Sequence, residues 1–319
     1  MELSKDFVFT GVPVSTAPKP LVATNPLGPL ALLPGTWTGT GFNQIWRPFH
    51  GSQDRFLELN RTIETIQFEE IPGDIPNRGF LQADIALHGI TYLQQIQDAN
   101  VKGPNGKPAG IHIEPGIWVT VPATQNPNDP STVARLANIP HGTSLVAQGT
   151  AQTITHAPTF PPANITPFPI RVPPSTLPPP PSTLIHFPES NLSTPSNFRT
   201  PPADLVGITQ AMVDNPNSVL AAGIAGKNII QTTILQVSTI LRAPPAPTSG
   251  GGTGNIAFLA GTTGGPNAVT AQVDATFWIE TIKAPNGTLS HQLQYSQSVL
   301  LNFNTLSWPH VTVATLLKH

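Results

Sequence analysis

His291-Gln292-Leu293-Gln294-Tyr295-Ser296-Gln297-Ser298-Val299-Leu300-Leu301-Asn302-Phe303 is the stretch whose reading decides the fold. Leu293, Tyr295, Val299, Leu301 and Phe303 share one parity, with Gln292, Gln294, Ser296, Ser298 and Asn302 between them. Successive side chains of a strand point to opposite faces, so this period of two predicts a long strand, apolar on one side. Its neighbours in sequence behave alike. Residues 271–281 carry Val273, Ala275, Phe277 and Ile279 on one face, and 309–318 carry His310, Thr312, Ala314 and Leu316. Half-buried antiparallel strands give this alternation.

Further out, 229–241 is rich in β-branched residues, and Gly250 to Gly254 reads as a hairpin-like turn. Upstream, 110–121, 133–155 and 80–97 each read as a strand. In 56–68 the apolar parity switches, from Leu57, Leu59 and Ile63 to Ile66 and Phe68, which predicts a β-bulge near Thr65. The first strand opens in Pro34-Gly35-Thr36-Trp37-Thr38-Gly39-Thr40-Gly41, where glycine permits close backbone approach. The expected fold is all-β: one antiparallel barrel of about ten strands around a mostly apolar cavity, of lipocalin type.

Composition agrees. The 319 residues include 38 prolines and 26 glycines, the poorest residues for a helix interior. Many prolines fall in 157–205, which still contains Phe160, Ile165, Phe168, Ile170, Ile185, Phe187 and Phe198. Polyproline backbone with that many apolar anchors predicts an ordered excursion laid over the barrel, covering one end. A short helix is expected between 202 and 212. The organisation is therefore an N-terminal arm at 1–28 and one barrel domain at 29–319, with the Pro-rich insertion inside it.

The net charge of −2 and the lack of any Lys/Arg run argue against nucleic-acid and anionic-membrane partners. The absence of cysteine excludes disulfides, thiolate metal sites and thiol nucleophiles. No stretch approaches the roughly 18 apolar residues of a membrane helix, and the N-terminus lacks a signal-type apolar core. A cytoplasmic protein is expected, with homodimerisation left open.

None of the phosphate-loop, nucleophile-elbow, zinc-helix or EF-hand patterns occurs. Two histidines stand out, His112 in Gly110-Ile111-His112-Ile113-Glu114-Pro115-Gly116 and His310 in Trp308-Pro309-His310-Val311-Thr312-Val313-Ala314. These two runs, together with Leu30-Ala31-Leu32-Leu33-Pro34-Gly35-Thr36-Trp37-Thr38-Gly39-Thr40-Gly41, resemble in order the opening, middle and closing strands of nitrobindins, heme-binding β-barrels. The resemblance covers about half the chain, which is roughly twice the family's usual length. It implies heme b with His310 as the iron ligand, His112 as the catalytic or distal residue, and Trp37 lining the macrocycle. It also implies reactions of ferric heme with nitrogen oxides, such as peroxynitrite isomerisation, or peroxidase-like chemistry. Thr312 and Ala314, on the face of His310, would pack against the flat ligand.

Other readings of the same residues stay open. His88, His112, His141 and Glu114 could converge on a non-heme metal. Arg47, Arg55 and Arg61 stand near Glu58, Glu64, Glu69 and Glu70 and suit ion pairs on an outer face. Arg61 shares parity with Leu57, Leu59 and Ile63, and facing inward it would reach a heme propionate or a fatty-acid carboxylate. Tyr92 and Tyr295 read as core residues with a polar tip. Besides a heme protein, the chain could be a carrier of an apolar small molecule, or a plugged barrel with a structural role.

Overall fold

The computed structural model describes residues 7–9, 25–50, 54–170, 179–241 and 249–319. Among the described residues there are thirteen strands, and ten of them close a ring in chain order. The ring runs β1 (Gly35–Pro48), β2 (Arg55–Glu70), β4 (Ile85–Lys102), β5 (Pro108–Val121), β6 (Thr132–Ile139), β7 (Thr143–Ile154), β9 (Ile229–Ser238), β11 (Val269–Lys283), β12 (Leu289–Phe303) and β13 (Leu306–Lys318). The closing pairing of β13 with β1 is antiparallel, His310 lying opposite Ile45 and Lys318 opposite Trp37. The short strands β3 (Ile75–Asn77), β8 (Phe168–Pro169) and β10 (Gly250–Asn255) pair with β4, β13 and β7. Among the described residues, no helix is long and apolar enough to cross a membrane.

Three local expectations change. The run 133–155 is two strands, β6 and β7, because Pro140-His141-Gly142 turns the chain and Gly142 takes φ 115°. Gly250 to Gly254 is not a turn; it forms β10, which continues the place of β9 along the edge of β7. The bulge near Thr65 is absent: β2 pairs in unbroken register with β1 and with β4. The parity switch has another cause. Ile66 and Phe68 face the barrel interior, whereas Leu57 and Leu59 face outward and are covered there.

The cover is the Pro-rich excursion. It lies along the side wall, with Phe160, Ile165, Phe187, Leu192 and Leu205 against the outer faces of Phe42, Trp46, Leu57, Leu59, Trp278, Val311 and Val313. Its described residues do not cap an end of the barrel, as the sequence suggested. It also completes the wall where β2 outruns β4: Leu57 N–H donates to Phe198 O (2.9 Å), and Thr200 N–H donates to Leu57 O (3.0 Å). Arg199, 4 % exposed, fastens this segment by donating to the carbonyls of Glu189, Asn191, Leu192 and Thr194. The helix expected before Met212 is present as α1 (Gln210–Asp214), and a second, α2 (Ser218–Ile224), follows it.

Inside, the barrel has two unlike halves. At one end Trp37, Phe68, Trp118, Phe277, Leu293 and Leu316 fill the interior, and Leu27, Leu30 and Leu33 close it beneath them. Trp118 meets Phe277 edge-on with ring centroids 5.2 Å apart. At the other end the interior is open, and the candidate site lies there.

Candidate functional site

The open half holds a cavity of about 330 Å³. Ile45, Ile96, Ile139, Val299 and Leu301 give it apolar walls, and Leu259, from the short helix α3 (Ala257–Ala260), stands at its mouth. His112, His141 and His310 all line it. The His112 and His141 rings are 5.8 Å apart.

His310 is oriented by a chain of hydrogen bonds that links four strands. Asp98 on β4 accepts from Asn60 Nδ2 on β2 (2.7 Å), and Asn60 Oδ1 accepts from Asn43 Nδ2 on β1 (2.9 Å). Asn43 Oδ1 then accepts from Thr312 Oγ1 (2.8 Å) and lies 2.7 Å from His310 Nε2. Since Asn43 Oδ1 can only accept, the imidazole proton belongs on Nε2, and the lone pair is left at Nδ1. Burial, with His112 and His141 nearby, pushes the His310 pKa down to about 3, so the ring is neutral at ordinary pH. A neutral imidazole fixed by an outer hydrogen bond is the form that binds a metal or accepts a proton.

Below the cavity a polar tier separates it from the packed floor. Arg135 donates through Nε to Tyr92 Oη (2.8 Å), through Nη1 to Gln297 Oε1 (2.5 Å) and through Nη2 to Glu114. Tyr92 Oη also donates to Glu114, and His112 Nε2 lies 3.4 Å from Glu114 Oε2. Burial alone would raise the Glu114 pKa, but the Arg135 guanidinium beside it, helped by His112 and Tyr92, holds it down to about 2. Glu64 shows the opposite balance. Burial outweighs its bonds from Thr62, Tyr295 and Gln94 and pushes its pKa up.

Of the residues singled out in the sequence, His112, His310 and Thr312 line the cavity. Trp37 and Ala314 do not: both belong to the packed end, where Trp37 Nε1 donates to Leu33 O (2.8 Å). Arg61 is on the outer face of β2, close to Gly207, because its parity follows the outward Leu57 and Leu59. Glu58 and Glu64 point inward instead; Glu58 pairs with Arg47 (2.7 Å) at the rim of the cavity. His88 is apart from the other histidines, its Nδ1 3.7 Å from Asp74. Among the described residues no group of three or more His, Asp or Glu side chains is arranged to hold a metal ion.

Arg135 and Asn43 were missed. Arg135 shares the parity of Val133 and Ala137, so a charge on an apolar face was the available signal. Asn43 follows Trp37, Gly39 and Gly41 at spacings of two, and nothing in its neighbourhood marks a polar partner for His310. No protein-family model, no curated protein and no solved structure is significantly similar to this chain.

Proposed function

We propose that the open half of the barrel is a ligand site built around His310, and that heme b is the group it takes. The observation that carries this reading is the His310 ring: inside a barrel, neutral, held at Nε2 by Asn43, with its other nitrogen unengaged among the described residues. The chemistry of the donor set fits an iron porphyrin, since one imidazole is enough for a proximal bond. The apolar walls suit the macrocycle, whereas the Arg47 charge at the rim is already matched by Glu58. At about 330 Å³ the hollow is smaller than a porphyrin, so taking the group would require the lining, Leu259 included, to give way. The resemblance of the three strand segments to nitrobindins supports the same assignment.

When bound, heme would supply an iron with an open position for a small oxidant or a nitrogen oxide. The chain's own residues would do the rest. His310 would hold the group, Asn43 and Thr312 would keep the imidazole aimed, and Ile96, Ile139 and Leu301 would exclude water. His112, steadied by Glu114 at Nε2, would present Nδ1, unengaged among the described residues, to accept or return a proton.

Titration of the purified chain with hemin tests this. A Soret band that sharpens and saturates at one equivalent is expected, and His310→Ala should shift it and weaken binding at least tenfold. Unbound-type hemin spectra in both proteins would end the proposal.

The size of the hollow favours a second reading, a carrier of a small, largely apolar molecule without chemistry of its own. Pockets for such ligands begin at about 300 Å³. It predicts colourless protein whose melting temperature rises with small hydrophobes and not with hemin.

A further inference from the structure

Two groups outside the lining of the hollow, Arg135 and Asp98, each decide what one lining atom can offer to a ligand. A guanidinium only donates, and Arg135 Nη1 lies 2.5 Å from Gln297 Oε1. The Gln297 amide must therefore keep its oxygen on Arg135, which leaves Nε2 as a donor. Nε2 has no hydrogen-bond partner among the described residues, and it is not one of the sealed, unpartnered polar atoms, so it opens on the hollow that Gln297 lines.

Asp98 acts from further away. Its Oδ1 accepts from the backbone N–H groups of Asn100 (2.7 Å) and Val101 (3.1 Å), and its Oδ2 accepts from Asn60 Nδ2 (2.7 Å). A side-chain amide can be turned end for end, so the Asn60–Asn43 pair has no direction of its own. The carboxylate supplies one. With its NH2 on Asp98, Asn60 turns its oxygen to Asn43, and Asn43 turns its own oxygen to Thr312 and His310. His310, neutral at ordinary pH, then carries its hydrogen at Nε2 and offers Nδ1 as an acceptor. Nδ1 too is unpartnered among the described residues and not sealed off.

Gln297 lies opposite Thr312 and His310 opposite Val299, so the donor and the acceptor are diagonal neighbours on the inner face of β12 and β13. Such neighbours stand about 7–8 Å apart, a span that one amide group with a hydrogen bond of about 2.9 Å at each end can fill. We propose that Gln297 Nε2, fixed as a donor by Arg135, and His310 Nδ1, fixed as an acceptor by Asp98, together bind the amide group of a small neutral carboxamide. This rests on the reading of the hollow as a ligand site and deepens its small-molecule form. The ligand's carbonyl oxygen accepts from Gln297 and its N–H donates to His310. The site prefers an amide with an N–H to a ketone, and a ketone to a hydrocarbon. Asp98 is a positioning residue, and Asp98→Asn makes its action readable. The two backbone N–H groups would hold the new amide oxygen in the place of Oδ1, its NH2 would face Asn60, and the whole chain would reverse, moving the His310 hydrogen to Nδ1.

The test uses the full chain with no hemin added, nitrogen-15 NMR of the imidazoles at neutral pH, and calorimetry with benzamide, acetophenone and ethylbenzene. The His310 signals, assigned by their loss in His310→Gln, should show the hydrogen on Nε2 in the parent and on Nδ1 in Asp98→Asn. Benzamide should bind about three- to tenfold more tightly than acetophenone, and acetophenone more tightly than ethylbenzene by the same factor, the worth of one net hydrogen bond at each step. Benzamide, and not ethylbenzene, should shift the Nδ1 resonance. Asp98→Asn should erase the preference for benzamide over acetophenone. Gln297→Glu, which keeps an acceptor for Arg135 and removes the donor, should erase the preference for acetophenone over ethylbenzene, and it decides the pair even if Asp98→Asn fails to fold. A parent His310 with its hydrogen on Nδ1, an unchanged tautomer in Asp98→Asn, or an unmoved Nδ1 resonance would each overturn the assignment. If ethylbenzene binds and the polar groups add nothing, only the donor–acceptor pair falls. If no probe and no hemin binds, the ligand-site reading falls with it.

Discussion

At the scale of single residues, two buried carboxyls, Glu114 inside the barrel and Glu280 on its outer face, respond to burial in opposite ways. Glu114 is held down to about 2 by Arg135, so its stabilising share is complete above the unfolded carboxyl's value and is lost as pH falls toward 2. Removing one partner strands the other charge in the interior. Arg135→Met is expected to cost about 3–5 kcal/mol by chemical denaturation, and a smaller loss would mean that water reaches Glu114. Glu280, buried on the outer face of β11, runs the other way. Burial raises it to about 7 against a hydrogen bond from Gln292 Nε2 (2.5 Å) and the Lys227 charge. The folded chain then binds an extra proton between about pH 4.5 and 7, so this site costs stability as pH rises through that window. Glu280→Gln should match the parent at pH 4.5 and exceed it at pH 8 by on the order of 3 kcal/mol. Equal stabilities at pH 8 would show that the carboxylate is solvated.

At the scale of elements, the late strands were legible because their inward faces are plain: Val273 to Ile279 and Leu293 to Val299 face the core as their alternation predicted. β2 was not, because its outward half is dry as well. Once a second layer covers a strand, apolar residues appear on both parities, and the sequence imitates a bulge. The same ambiguity sent Arg61 inward on paper and outward in the protein. The candidate site divides in the same way. His112, His310 and Thr312 could be read from local runs, whereas Asn43, Glu64 and Arg135 matter through partners that are distant in sequence. The covering element depends on Arg199, whose guanidinium serves four carbonyls. Arg199→Met should leave those carbonyls without their donor and speed proteolysis within 179–205, while amide exchange in β5 and β6 stays unchanged. Uniform acceleration across the ring would mean that the cover is integral to barrel stability.

At the scale of the molecule, stability and binding occupy different ends. The packed end carries Trp37, Trp118 and Phe277, and the hollow end carries the histidines. Trp118→Ala is therefore expected to cost about 3–5 kcal/mol, and Leu301→Ala, at the wall of the hollow, less than half as much; near-equal losses would contradict the division. The division also assigns roles to the rest of the ring. On β1, β12 and β13 part of the outward surface is as dry as the inward one, Trp46, Val311 and Val313 being 0 % exposed. On β5, β6 and β7, Ile117, Leu136 and Val146 stand side by side in contact with water. The barrel is thus lagged on one flank and bare on the other. Substitutions that alter volume should be penalised on both faces of the lagged strands and on one face of the bare ones, so tolerance to change should follow the circumference of the barrel and not the order of the chain.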